Sequence, residues 1–156
     1  MNNIEGKRLW CRATEEKIIK AWIEQRNAKL SVRDRVLNQS IGFTNHKVVM
    51  MYRLWNTNLV ERFDDDIYIH ISGNMEERER YYNFNGFWQP KEYIISNTTK
   101  SRLNAFLDYY GFNTLEVHSS MKDWSVKYNG ELLEVDKWYK LDFTSKKLVK
   151  VEKTID

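Results

Sequence analysis

The sequence predicts an α+β fold: amino-terminal helices, an antiparallel β-sheet of hairpins ending in a carboxy-terminal meander, and one further helix. Three observations carry that expectation. Apolar residues recur at helical spacing over residues 13–41 and 97–111. From Val48 to Ile71, and again beyond Thr114, they alternate with the period of two that belongs to strands. Asn129-Gly130 then stands between two alternating runs, and a two-residue type I′ turn needs positive φ at both central positions, which Asn and Gly tolerate.

The elements follow in order. Thr14 offers a hydroxyl cap, Glu15 and Glu16 suit an electropositive first turn, and Arg26 and Lys29 suit the carboxyl end. Ile18, Ile19, Trp22 and Ile23 line one side, so Ile19, Trp22 and Ile23 are expected to be buried, within a protomer or between two. Ser31 caps a second short helix with Val32, Val36 and Leu37 on one side and Gly42 as its stop. Val48, Met50, Tyr52 and Leu54 begin the strands. Residues 58–63 make the next, and Asp64-Asp65-Asp66 turns the chain into 67–72. Residues 73–90 read as a loop ending at the only proline, and 91–96 as one more short strand.

The stretch 97–112, NTTKSRLNAFLDYYGF, reads as a whole helix. Thr98 or Thr99 caps it, Leu103, Phe106, Leu107 and Tyr110 form its apolar stripe, and Gly111 ends it. Leu115 and Val117, then Trp124, Val126 and Tyr128, start a meander that residues 131–135, 138–143 and 147–151 complete. The expected organisation is a helical segment at 1–45 and an α+β domain at 46–156, together one compact unit.

Composition narrows the class. With 42% hydrophobic and 14% aromatic residues among 156, the chain has the means to bury a core. Its single Cys11 forms no disulfide within the chain, and no signal peptide or apolar run of membrane-spanning length is visible, so a cytoplasmic setting is expected. The net charge of +3 is unevenly spread. Residues 7–35 hold nine Lys or Arg against four acids, and residues 61–80 hold seven acids against three Arg. Such polarity steers a polyanion to one face or simply keeps a domain soluble.

The helix start at Asn97 carries Lys100 and Arg102, two cations at the electropositive end of a helix. With free backbone N–H groups, Thr98, Thr99 and Ser101 they compose an anion cradle, and a phosphate there reverses an unfavourable charge placement. The competing reading is a plain threonine cap whose cations lie along the surface or pair with acids such as Asp108. Cations also interleave with aromatics around Trp10, Trp55, Trp124, and Trp138 with Tyr139, the composition of single-strand stacking platforms as well as of an ordinary core. Trp138 and Tyr139 are adjacent in a strand and must face opposite ways.

Other constellations carry no chemistry. His46, His70 and His118 lack ligand spacing, and one Cys makes no zinc site. Asp64-Asp65-Asp66 lacks the glycine and distal glutamate of a calcium loop, and Glu15-Glu16-Lys17 lies on a helix start. No phosphate loop or nucleophile elbow is present. Neither catalytic residues, a metal nor a cofactor is expected.

The run N-T-T-K-S-R-L-N-A-F-L resembles a motif of small bacteriophage proteins, in which T-T-K-x-R-[LI]-N opens a helix between a strand pair and later strands bearing a Trp. Leu54-Trp55-Asn56-Thr57, Gly86-Phe87-Trp88 and Asp123-Trp124-Ser125-Val126 occupy matching places, so the resemblance covers about residues 48–143. The chain departs from the pattern before the motif, where NGFWQPKEYIIS replaces a compact glycine-tryptophan turn. The resemblance implies a phage origin and a small α+β domain, and supplies no activity.

The function these features favour is a non-enzymatic phage accessory protein binding nucleic acid or a host nucleoprotein complex. Inhibition of host defence, as anti-CRISPR proteins perform it, belongs to that class, and the setting would be the host cytoplasm. One alternative is an enzyme hydrolysing phosphodiesters or nucleotides. Another is a homo-oligomeric structural protein, dimeric through its amino-terminal helices, with Ile18 and Trp22 at the interface.

Overall fold

The computed structural model describes residues 13–38, 50–73, 95, 97–119 and 124–152. Among them are two helices, α1 (Ala13–Ile23) and α2 (Asn97–Tyr109). Ten strands accompany them: β1 (Ala28–Lys29), β2 (Asp34–Asn38), β3 (Met50–Leu54), β4 (Thr57–Phe63), β5 (Asp66–His70), β6 (Glu116–Ser119), β7 (Trp124–Tyr128), β8 (Glu131–Leu133), β9 (Trp138–Asp142) and β10 (Lys147–Val151). The chain is an α+β protein, mostly β. No helix among the described residues is long and apolar enough to cross a membrane.

Seven strands form one antiparallel sheet in the order β1-β2-β3-β4-β5-β9-β10, and β6-β7-β8 form a second, small one. Both helices lie on one face of the large sheet. Tyr52 of β3 meets Phe106 of α2 with ring centroids 5.5 Å apart, and Phe106 in turn meets Trp22 of α1 edge-on at 4.8 Å. Val36, Tyr52, Val60, Ile69 and Tyr139 succeed one another across five strands through direct cross-strand pairing, and all are buried beneath the helices.

Both helices stop by the same device. Gly111 at φ 82° follows α2, with Phe112 N–H donating to Leu107 C=O and Gly111 N–H to Asp108 C=O. This is the Schellman arrangement, in which a left-handed residue satisfies the last carbonyls. After α1 the left-handed position falls to Gln25 at φ 52°, with Arg26 N–H on Ala21 C=O and Gln25 N–H on Trp22 C=O. The Asn129-Gly130 turn has φ of 51° and 80°, as a type I′ hairpin requires, and joins the paired Tyr128 and Glu131.

Four expectations are corrected. Residues 31–38 form no second helix. Ser31 Oγ accepts from the Arg33 and Asp34 N–H groups, a cap-like turn, but the chain then extends and pairs Asp34–Asn38 with all of β3. Val32, expected on an apolar helical face, is 73% exposed. The segment 1–45 is therefore not wholly helical, since β1 and β2 belong to the large sheet. Ile19 and Trp22 are buried, but Ile23 at the end of α1 is 44% exposed. The carboxy-terminal meander also divides. At Asp136, with φ 68°, the chain turns away from β8, and backbone bonds between Ile71 and residues 136–137 seat β9 beside β5. Finally, Asn97 already belongs to α2 and Ala13 to α1, so Thr98, Thr99 and Thr14 sit inside the first turns rather than before them. The expected strand at 91–96 and loop at 73–90 lie outside the described residues, apart from Gly73 and the buried Ile95.

Candidate nucleic-acid interface

The fold turns one cation of the expected anion cradle at the start of α2, Arg102, into the interior. Arg102 is 4% exposed. Its Nε donates to Asp34 Oδ1 at 2.9 Å and its Nη2 to Asp34 Oδ2 at 3.3 Å, while Nη1 meets the Glu15 carboxylate of α1. Tyr52 OH donates to Asp34 Oδ1 at 2.5 Å and Ser31 Oγ to Oδ2 at 2.6 Å. Burial, together with the hydrogen bond to Asp34 and its charge, pushes the Tyr52 phenol far up from its ordinary value. Arg33 approaches Asp34 from outside at 3.7 Å. Two acids and two arginines thus close a neutral cluster that ties α1, α2, β2 and β3 together. Thr99 is buried, while Thr98, Lys100 and Ser101 are half-buried. One of the two cations expected to await a phosphate, Arg102, is already occupied by two carboxylates, and Glu15 is a buried partner rather than a mere first-turn acid.

The expected stacking residues are dispersed. Trp10 lies outside the described residues. Trp55 is 57% exposed at the tip of the β3–β4 turn, held at φ 55° with its N–H on Arg33 C=O. Tyr139 is buried on the helix side, its hydroxyl accepting from Glu134 N–H at 2.8 Å. Trp138 points to the opposite face, where no described helix lies, and stacks on His70, centroids 4.7 Å apart and planes 7° apart. Ile18 and Trp22 are buried within this chain, Trp22 Nε1 donating to Tyr110 OH at 2.7 Å, so that the side of α1 expected to meet a second copy is spent on its own core.

The face opposite the described helices holds what the sequence reading missed. Lys29 of β1 pairs directly with Arg35 of β2, and Arg35 directly with Arg53 of β3. Three cations therefore stand abreast on neighbouring strands, and like charges directly opposite one another destabilise a sheet. Among the described residues no carboxylate lies within ion-pair distance of any of the three. Their hydrogen bonds are to neutral groups: Arg35 Nη1 to the Ser31 and Val32 carbonyls at 3.4 and 3.3 Å, and Arg53 Nε to Asn58 Oδ1 at 2.8 Å.

The row continues across the sheet. Arg53 is paired with Asn58 of β4, whose amide also donates to Glu61 Oε2 at 3.2 Å. His70 of β5 sets its Nδ1 3.3 Å from the Asn58 carbonyl, and His70 pairs with Trp138 of β9. Burial lowers the His70 pKa, against smaller opposing effects of the Asn58 carbonyl, Asp136 and Glu61, so its ring is neutral where it stacks. Strands lie about 4.8 Å apart, so a basic edge of roughly 10 Å is followed across the sheet by the buried Asn58 and then by a pair of stacked rings.

Arg53 stood in plain view beside Tyr52 in an alternating run, and an odd position there is the signal for the face opposite the core. Arg35 was hidden by the helical reading of its segment. Comparison with protein-family models, with curated proteins and with solved structures finds no match to this chain.

Proposed function

We propose that the chain is a non-enzymatic accessory protein that binds single-stranded nucleic acid, alone or within a nucleoprotein complex, on the face of its large sheet opposite the described helices. The observation that carries the reading is the rung Lys29–Arg35–Arg53, three cations set directly opposite one another with no carboxylate partner among the described residues. A phosphate backbone crossing the strands turns that repulsion into attraction and releases its counterions. The exposed Trp55 supplies a ring face for an unpaired base, and base stacking of this kind is indifferent to sequence. A bacteriophage source, and with it a target in a host defence complex, rests on the resemblance of residues 97–107.

The test is fluorescence anisotropy of a labelled single-stranded oligonucleotide at 50 and 200 mM salt. Three phosphate contacts at a slope of about 0.7 each predict a roughly twentyfold loss of affinity over that range. A variant with Lys29, Arg35 and Arg53 all changed to Ala keeps its fold and loses most of that salt dependence. Salt-independent binding, or a variant that binds like the wild type, disproves the assignment.

A further inference from the structure

On the opposite, helix-bearing face lies a cleft of about 360 Å³, within the size range of small-molecule sites. Its floor is Ile67 of β5, and its walls are Tyr109 and Tyr110 at the end of α2 and Phe143 from the β9–β10 turn. The aromatic wall is continuous, since Tyr110 stands edge-on to Tyr109 at 4.8 Å and to Phe143 at 5.6 Å. Tyr110 is fixed from behind by Trp22, and burial pushes its phenol up to about 12, so it faces the cleft as a neutral ring.

Two cations reach into this apolar setting. Arg62 occupies a helix-side position whose cross-strand neighbours are Met50 and Ile67, both buried. Its Nε is committed to the Asp64 carbonyl at 2.6 Å, which aims the remaining fork. The fork's carboxylate neighbour, Asp65, stands 3.8 Å from Nη2, beyond hydrogen-bonding distance, and its side chain is fully exposed to water. Lys146 is held in the left-handed region at φ 58°, which a lysine adopts at a cost. There its Nζ lies 5.0 and 5.5 Å from the Phe112 and Phe143 ring centres and 3.4 Å from the Tyr110 carbonyl, offsetting the negative end of α2. Two cations against one loosely held acid leave the cleft net positive.

We infer that this cleft binds an aromatic ring carrying a phosphate, with the ring against Phe143 and Tyr110 and the phosphate on the Arg62 fork in place of Asp65. Either a free mononucleotide or the phosphorylated end of a strand presents that chemistry. The guanidinium fork matches a phosphate in two-pronged fashion, and the ring wall supplies the apolar contact. This site is separate from the cation rung, on the other side of the sheet.

The experiment is NMR titration of the full chain with adenosine 5′-monophosphate, with adenosine, with inorganic phosphate, and with an oligonucleotide with and without a 5′-phosphate. Expected are saturable shifts of the Tyr109, Tyr110 and Phe143 ring signals with the monophosphate, and binding about tenfold or more weaker for adenosine or phosphate alone. Shifts of those rings that need the 5′-phosphate on the oligonucleotide, without response to the free monophosphate, assign the strand end as the source. R62Q weakens either ligand by about tenfold or more, and R62K, which keeps the charge and loses the fork, by less. If neither phosphorylated probe moves those rings in the wild-type protein, or a folded R62Q binds undiminished, the inference fails. The wild-type shifts decide the matter even where a variant does not fold.

Discussion

Arg102 is the residue on which the interior depends. An arginine at 4% exposure persists only because Glu15 and Asp34 return its charge and Tyr52 and Ser31 fill the remaining acceptor positions on Asp34. Arg102→Met keeps volume but strands two buried carboxylates, and is expected to cost about 3–5 kcal/mol in urea unfolding. Arg102→Lys should recover only part of that, because an ammonium cannot match the two-pronged contact. A loss below about 1 kcal/mol, the size of a surface pair, would show the cluster to be wetter than its burial implies. His70 gives a second prediction. Its pKa is depressed in the fold from the ordinary 6.5, so the unfolded chain takes up the proton first. The stability it confers is complete above pH 6.5 and is lost as the pH falls through the folded-state value. Between pH 7.5 and 5.5 the melting temperature of the wild type should fall further than that of His70→Gln; parallel curves would remove the stacked ring from the account. Glu134 and Asp142, lowered by hydrogen bonds from Lys150 and from residues 144–145 respectively, act below this window.

At the scale of elements, α1 shows what periodicity reveals and what it leaves out. Spacing alone placed Ile18, Ile19 and Trp22 on one side, and Trp22 is indeed anchored between Phe106 and the Tyr110 hydroxyl. Trp22→Ala should cost about 3–5 kcal/mol by loss of transfer free energy and creation of a cavity, measured by thermal or urea melting. A variant that melts with the wild type would mean the ring contributes nothing to the core. The helices, the alternating strands and the Asn129-Gly130 hairpin were legible because their signals are local. Residues 31–38 were not, because the same Ser31 turn starts either a helix or a bend, and pairing with β3 decided between them. The split of the meander was equally hidden, being set by Ile71, which lies far from Asp136 in sequence. The site suffered most from this. Arg102 looked like a surface cation since no local rule reports that Glu15 and Asp34 converge on it, and the cation rung exists only through the registers of β1, β2 and β3.

For the whole molecule, the large sheet is a wall with different tasks on its two sides. The helix side holds the apolar cluster from Ile18 to Leu141, and the other side carries cations, the buried Met51, Asn58 and Glu61, and stacked rings. The seating of β9 beside β5 has a consequence in time. From β2 to β5 each strand pairs with the one before it, so closing these contacts costs little chain entropy beyond that of short turns and the stretch between residues 38 and 50. Pairing His70 with Trp138 closes a long loop that contains α2 and the small sheet. The Arg102 cluster draws on residues 15, 34, 52 and 102 and closes under the same constraint. Refolding should therefore be slow for a chain of this length, in the range of about milliseconds to seconds typical of non-local β topologies. Its early species would be the β2–β5 meander with one flank unpaired, and β9 the strand whose arrival completes the native state.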